Sequence, residues 1–136
     1  MGKEATGEAW TEAVNAFLEK LKGKIRIESA IVHGSAAGGR SGYWSDVDLL
    51  LVSDDFLYLP FLERLRLLTE LKVNKVEALG YSYRELRGMM KKGNPVALGA
   101  LIEGVAVVES ERVKKLREEA RKTYFRKGRA WFPHPS

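Results

Sequence analysis

Two aspartates, Asp46 and Asp48, flank Val47 at the start of an apolar run that continues to Val52. On an extended strand such a pair points to one face. Their Cα atoms would lie about 7 Å apart at ~3.3–3.4 Å per residue. Carboxylates that close can converge on divalent ions. A pair of ions ~3.5–4 Å apart can clamp the attacking and leaving oxygens of a phosphoryl transfer. Hard oxygen ligands suit Mg²⁺, which is commonly held by one or two carboxylates plus substrate phosphates. Val47, Leu49 and Leu51 fall on the opposite face, where burial against helices would keep the strand rigid.

Upstream stand Gly34 and Ser35, at the end of another apolar stretch. Glycine permits a close backbone approach, and Ser35 offers an amide and a hydroxyl to a phosphate. A short helix beginning within 36–39 would add its positive end. The whole segment GSAAGGRS is one residue from a phosphate loop, G-x-x-x-x-G-K-[ST], with Arg40 in the lysine position. The residues after Ser41 defeat that reading. Ser41 would have to open a helix whose amides face the phosphates, yet Gly42, Tyr43, Trp44 and Ser45 lead straight into the strand. A planar guanidinium is also a poor stand-in for a compact ammonium. Arg40 either reaches a triphosphate from the spacer or is a solvated loop arginine. Tyr43 and Trp44 either stack on a base or pin the loop.

The combination of an apolar residue with Gly34-Ser35, ten spacer residues, then Asp46-Val47-Asp48-Leu49 resembles the nucleotidyltransferase superfamily that includes DNA polymerase beta. More closely it is similar to the minimal nucleotidyltransferases of archaea and bacteria. Gly34, Ser35, Asp46 and Asp48 match that motif residue by residue, and Ser45 is a common choice before the first Asp. The resemblance implies a polymerase beta-like fold and transfer of a nucleoside monophosphate, AMP from ATP, to an acceptor hydroxyl. It implies two Mg²⁺ ions, with Mn²⁺ as a substitute, held by Asp46, Asp48 and a third carboxylate on a neighbouring strand. That third group is usually Asp; the candidate here is Glu77, acting as a metal ligand or base, or else as a structural carboxylate paired with Lys75. Asp54 shares parity with Asp48 but lies about 20 Å further along an extended strand. His33 stands where the family has a hydrophobic residue and is read as packed rather than catalytic.

The resemblance also implies a partner. Minimal nucleotidyltransferases of this kind pair with a helical HEPN-type RNase toxin and neutralise it, in some cases by adding AMP to a tyrosine. A non-catalytic module that inhibits such a partner by contact is the alternative. An antibiotic-modifying or RNA-tailing role is a further one.

The elements that must position these residues can be read from periodicity. Residues 8–21 carry apolar positions at helical spacing, with Gly23 as a stop. Residues 25–32 and 47–52 read as strands around a Gly- and Ser-rich loop, 38–45. A helix over 61–71 comes after Pro60, which suits a first-turn position. A strand over 73–79 ends at Gly80. Ser82 and Glu85 form a capping-box pattern for a helix reaching about Lys92, broken by Gly93-Asn94-Pro95. A helix over 96–103, a strand over 105–108 and a Ser110-capped helix from 111 to about 124 complete the pattern. Helices alternating with short strands predict an α/β (α+β) class, with a small mixed sheet of about four strands flanked by helices. The expected organisation is one nucleotidyltransferase domain over 1–125 and an irregular basic tail over 126–136.

Composition narrows the classes. The 136 residues are 45% hydrophobic and carry a net charge of +5, which excludes a disordered chain and suits an anionic partner, a nucleotide or RNA. The basic C-terminus, with Trp131 and Phe132, either meets RNA or a partner protein or is a solvated face. Cysteine is absent, excluding disulfides and thiolate chemistry and fitting a cytoplasmic protein. No apolar run reaches the roughly 20 residues of a membrane span, and MGKEATGEAW lacks a signal-peptide core. The absence of glutamine beside many Glu, Lys and Arg leans thermophilic.

Overall fold

The computed structural model describes residues 10–38, 46–73 and 75–135. Its centre is β2, Val47–Val52, whose sequence VDLLLV is buried at every position but Asp48. A strand covered on both faces reads as a nearly continuous apolar run. β2 pairs antiparallel with β1, Ser29–His33, and parallel with β3, Val76–Tyr81. β1 pairs on its other side with β4, Val105–Val108, so the sheet runs β3-β2-β1-β4. A parallel pair needs a crossover. A 3₁₀ turn at Asp54–Tyr58 and helix α2, Phe61–Glu70, supply it after helix α1, Thr11–Leu21, and the first two strands.

Both faces are covered. Val14, Phe17 and Leu21 of α1 and Leu68 of α2 pack with Ala30, Val32, Val47, Leu49 and Leu51. The opposite face, with Ile31, Leu50 and Val52, meets α3, Tyr83–Lys91, through Leu86 and Met90. It also meets α4, Pro95–Leu98, the π-helical turn Gly99–Glu103 that continues it, and α5, Glu111–Thr123. The capping box at Ser82 forms as its sequence requires, with Glu85 accepting from the Ser82 amide at 2.8 Å. Glu85 also receives both terminal nitrogens of the buried Arg64 at 2.8 Å each, tying α3 to α2.

Several expectations shift. The segment 25–28 is not strand: the Ile25 amide donates to the Leu21 carbonyl and the Arg26 amide to Asp55, while the Glu28 amide reaches the end of β2 at the Val52 carbonyl. β3 starts and ends later than 73–79. Gly80 lies inside it because the Phe56 ring packs where a side chain would stand, an added Cβ falling 2.5 Å from the ring. The tail is not irregular. Tyr124–Lys127 (β5) pairs with Ala130–Pro133 (β6) through the two-residue loop Gly128-Arg129, Gly128 having φ +64°. Such loops demand positive φ. Tyr124 and Trp131 pack against the second core cluster, so this hairpin belongs to the body of the protein.

Candidate active site

Asp48 is the half-buried break in the apolar β2. Its register partners are His33 on β1 and Glu77 on β3, so three polar side chains form a row across three adjacent strands on one face. Gly34, immediately after β1, turns the chain back over Asp48. It adopts φ +74°, and a Cβ there would sit 2.6 Å from Asp48 Oδ2. Only glycine meets both demands. Residues 34–38 form turns and not the helical start expected for 36–39, so no helix dipole acts there. Ser35 is exposed, while the buried Ala36 anchors the turn in the first core cluster.

Asp46 is exposed and lies just before β2 rather than within it. Glu77 is exposed and ion-paired, but with Lys72 rather than the expected Lys75. The Glu77 hydrogen bond, with the charges of Glu77 and Asp46 beside it, holds the Lys72 ammonium above its ordinary range. Asp46, Asp48 and Glu77 are not gathered into a metal-binding group, and no set of three or more His, Asp or Glu side chains is, among the described residues. Lys72 occupies Glu77, where a cation shared by all three carboxylates would need its oxygens. The donors themselves, hard carboxylate oxygens beside a glycine-lined turn, fit a hard divalent ion.

His33 is mostly buried, and its Nε2 has no hydrogen-bond partner. Burial lowers its pKa, opposed by the Asp48 charge, so the imidazole is neutral at pH 7. It separates two clefts. One, about 260 Å³, holds His33, Asp48, Lys72 and Glu77 beside α2. The other, about 530 Å³, runs from Gly34 and Ser35 to Val96, Gly99, Glu103 and Arg126. The sequence pattern gives no sign of a role for Lys72, places Glu103 only at the end of a helix, and puts Arg126 in a tail. Arg40, Tyr43, Trp44 and Ser45 lie outside the described residues.

Residues 12–96 match the nucleotidyltransferase domain family. No curated protein matches the chain by sequence. Among solved structures, the fold is similar to a suspected nucleotidyltransferase from Sulfolobus solfataricus, with TM-score 0.50 and 16% identity over 79% of this chain and 84% of that one. It is also similar to a toxin–antitoxin protein crystallised with AMP-PNP, with TM-score 0.52 and 15% identity over 79% and 82%. The matched segment spans more than half the chain and contains the Gly34-Ser35 turn, both aspartates and Glu77. The chain therefore belongs to the nucleotidyltransferase domain family, of the polymerase beta-like superfamily.

Proposed function

We propose that this protein transfers AMP from ATP to an acceptor hydroxyl on a partner protein, as a minimal nucleotidyltransferase that neutralises a HEPN-type toxin. The observation that carries the reading is the close fit of Asp48 under Gly34, where an added Cβ would fall 2.6 Å from Asp48 Oδ2, which supports a shared site for the turn and that carboxylate. The likeness to a toxin–antitoxin protein crystallised with AMP-PNP supports an adenine nucleotide and a protein partner.

Ser35, exposed on the turn, would hold phosphate oxygens through its amide and hydroxyl. Arg40 would reach the same phosphates from the spacer. Asp46 and Asp48 would hold Mg²⁺, with Mn²⁺ as substitute, and Glu77 would join them on leaving Lys72. When bound, the metal supplies neutralisation of the charge on the α-phosphate and the leaving group. The acceptor oxygen bonds to the α-phosphorus as the bond to pyrophosphate breaks, and the hydroxyl proton passes to Glu77. Most of the acceleration would come from positioning and fixed charge.

ATP, Mg²⁺ and the partner should yield pyrophosphate and an AMP-modified partner, and Asp46→Asn should abolish both. Release that Asp46→Asn leaves unchanged would overturn the assignment. A second reading, neutralisation by contact alone, draws on the ion pair that occupies Glu77. Calorimetry with Mg-ATP separates the two: binding lost in Asp48→Ala supports catalysis, and absence of binding in the native protein favours contact.

A further inference from the structure

Among the described residues, the charged side chains lining the larger cleft beside the Gly34-Ser35 turn are Arg126 and Glu103. Both lie outside the 12–96 family match. Arg126 sits on β5 of the C-terminal hairpin and lines the cleft together with Ser35. We propose that Arg126 is a polyphosphate ligand supplied by this hairpin, stored on Glu103 until a nucleoside triphosphate displaces it. This rests on the nucleotide-transfer reading above.

The stored state is well defined. Arg126 Nε and Nη2 each donate to Glu103 at 2.7 Å. The guanidinium lies over the Trp131 ring, 4.6 Å from its centroid. A guanidinium fork fits a carboxylate and a phosphate with the same two-pronged geometry, so the same donors serve both partners in an exchange. The stacking on Trp131 can persist through it.

The ion pair is dispensable for architecture. Its side chains are 39% and 47% exposed, and such surface pairs contribute little to stability. The hairpin is fastened by other contacts. Tyr124 Oη donates to the Lys91 carbonyl at 3.2 Å and Tyr124 and Trp131 pack against the second core cluster, while the His134–Thr123 hydrogen bond and the Phe125–Phe132 contact hold its two strands together. Charge also demands an exchange. A triphosphate entering this cleft meets Glu103, and once Arg126 turns to the phosphates, Glu103 is exposed enough to be solvated.

The test is competition of ATP and of AMP against a fluorescent ATP analogue on the full chain, with melting temperatures as a folding control. Arg126→Ala should weaken ATP by ~10-fold, the cost of one charge-assisted contact, and leave AMP unchanged. Arg126→Lys should fall between. Glu103→Gln should tighten ATP, because Arg126 no longer has a charged carboxylate to leave, and the double variant should match Arg126→Ala. A purely structural pair predicts losses of similar size and the same sign for Arg126→Ala and Glu103→Gln. That result, or equal effects on ATP and AMP, or no effect of Arg126→Ala, overturns the proposal while leaving nucleotide transfer intact. Failure of the native protein to bind ATP at all would remove both.

Discussion

The carboxylates at the two ends of β2 are treated differently. Past its C-terminal end, Glu28 takes Nε and Nη2 of Arg112 at 2.6 and 2.7 Å, and Asp54 shares the same arginine at 2.9 Å. Glu85 is forked by Arg64 and caps its helix as well. Arginine hydrogen bonds are the largest cause of the lowered pKa of each of the three. At the N-terminal end, neither Asp46 nor Asp48 receives an arginine among the described residues, and Glu77 is held by a lysine. At the C-terminal end the planar forks bridge separate elements, whereas Lys72 meets Glu77 as a single point charge. One end of the strand uses its carboxylates to fasten helices; on the nucleotidyl-transfer reading, the other keeps them for metal and nucleotide.

The contrast can be broken by substitution. Asp48→Asn should cost most, lowering nucleotidyl transfer by roughly 10²–10³-fold, typical of removing a preorganised electrostatic group. Its melting temperature should barely move, since no hydrogen bond holds that carboxylate among the described residues. A large fall in melting temperature would make Asp48 structural instead. Arg64→Ala should do the reverse, costing about 3 kcal/mol of stability by urea unfolding, as expected when a buried pair loses one partner. Turnover of the molecules that remain folded should be unchanged.

Acid titration gives a smaller effect with a defined sign. Glu28 and Glu85 have pKa values below their ordinary 4.5 in the folded chain. The stability they contribute is full above about pH 4.5 and is lost as pH falls through the lower folded values. Arg112→Ala should flatten the part of that loss due to Glu28, and an unaltered acid limb would refute the linkage. Lys72→Met should give the smallest change. Melting should be unaffected, because the ion pair is exposed, while Glu77 is released and Mg²⁺ binds a few-fold more tightly. Weaker Mg²⁺ binding in that variant would mean that Lys72 positions the site rather than blocks it.

Much of this was legible because it is local. The run VDLLLV announces a strand buried on both faces, and the Ser82 capping box and the Ser110 cap each form with partners three residues away. Gly34, Ser35, Asp46 and Asp48 lie within fifteen residues of chain. What the sequence concealed depends on distant partners. Gly80, inside β3, is packed by the ring of Phe56 from a turn far away in sequence. The Lys72 pairing with Glu77 depends on how the chain leaves α2, and the meeting of Arg126 with Glu103 depends on how the hairpin folds back. A signal for that hairpin was present in aromatic runs on both sides of Lys127-Gly128-Arg129, but a two-residue loop with positive φ is easily read as a frayed end.

The double register of Asp48 carries a consequence of another kind. Its neighbours His33 and Glu77 are fixed by two independent strand pairings, one antiparallel and one parallel. A slip of one residue in either would turn the partner's side chain to the other face of the sheet. On the nucleotidyl-transfer reading, a misregistered molecule would part Asp48 from Glu77 or from the Gly34 turn and so lose the site. Counting functional sites in a preparation would therefore count correctly assembled sheets, and the ratio of active sites to total chains would report folding quality without any measurement of structure.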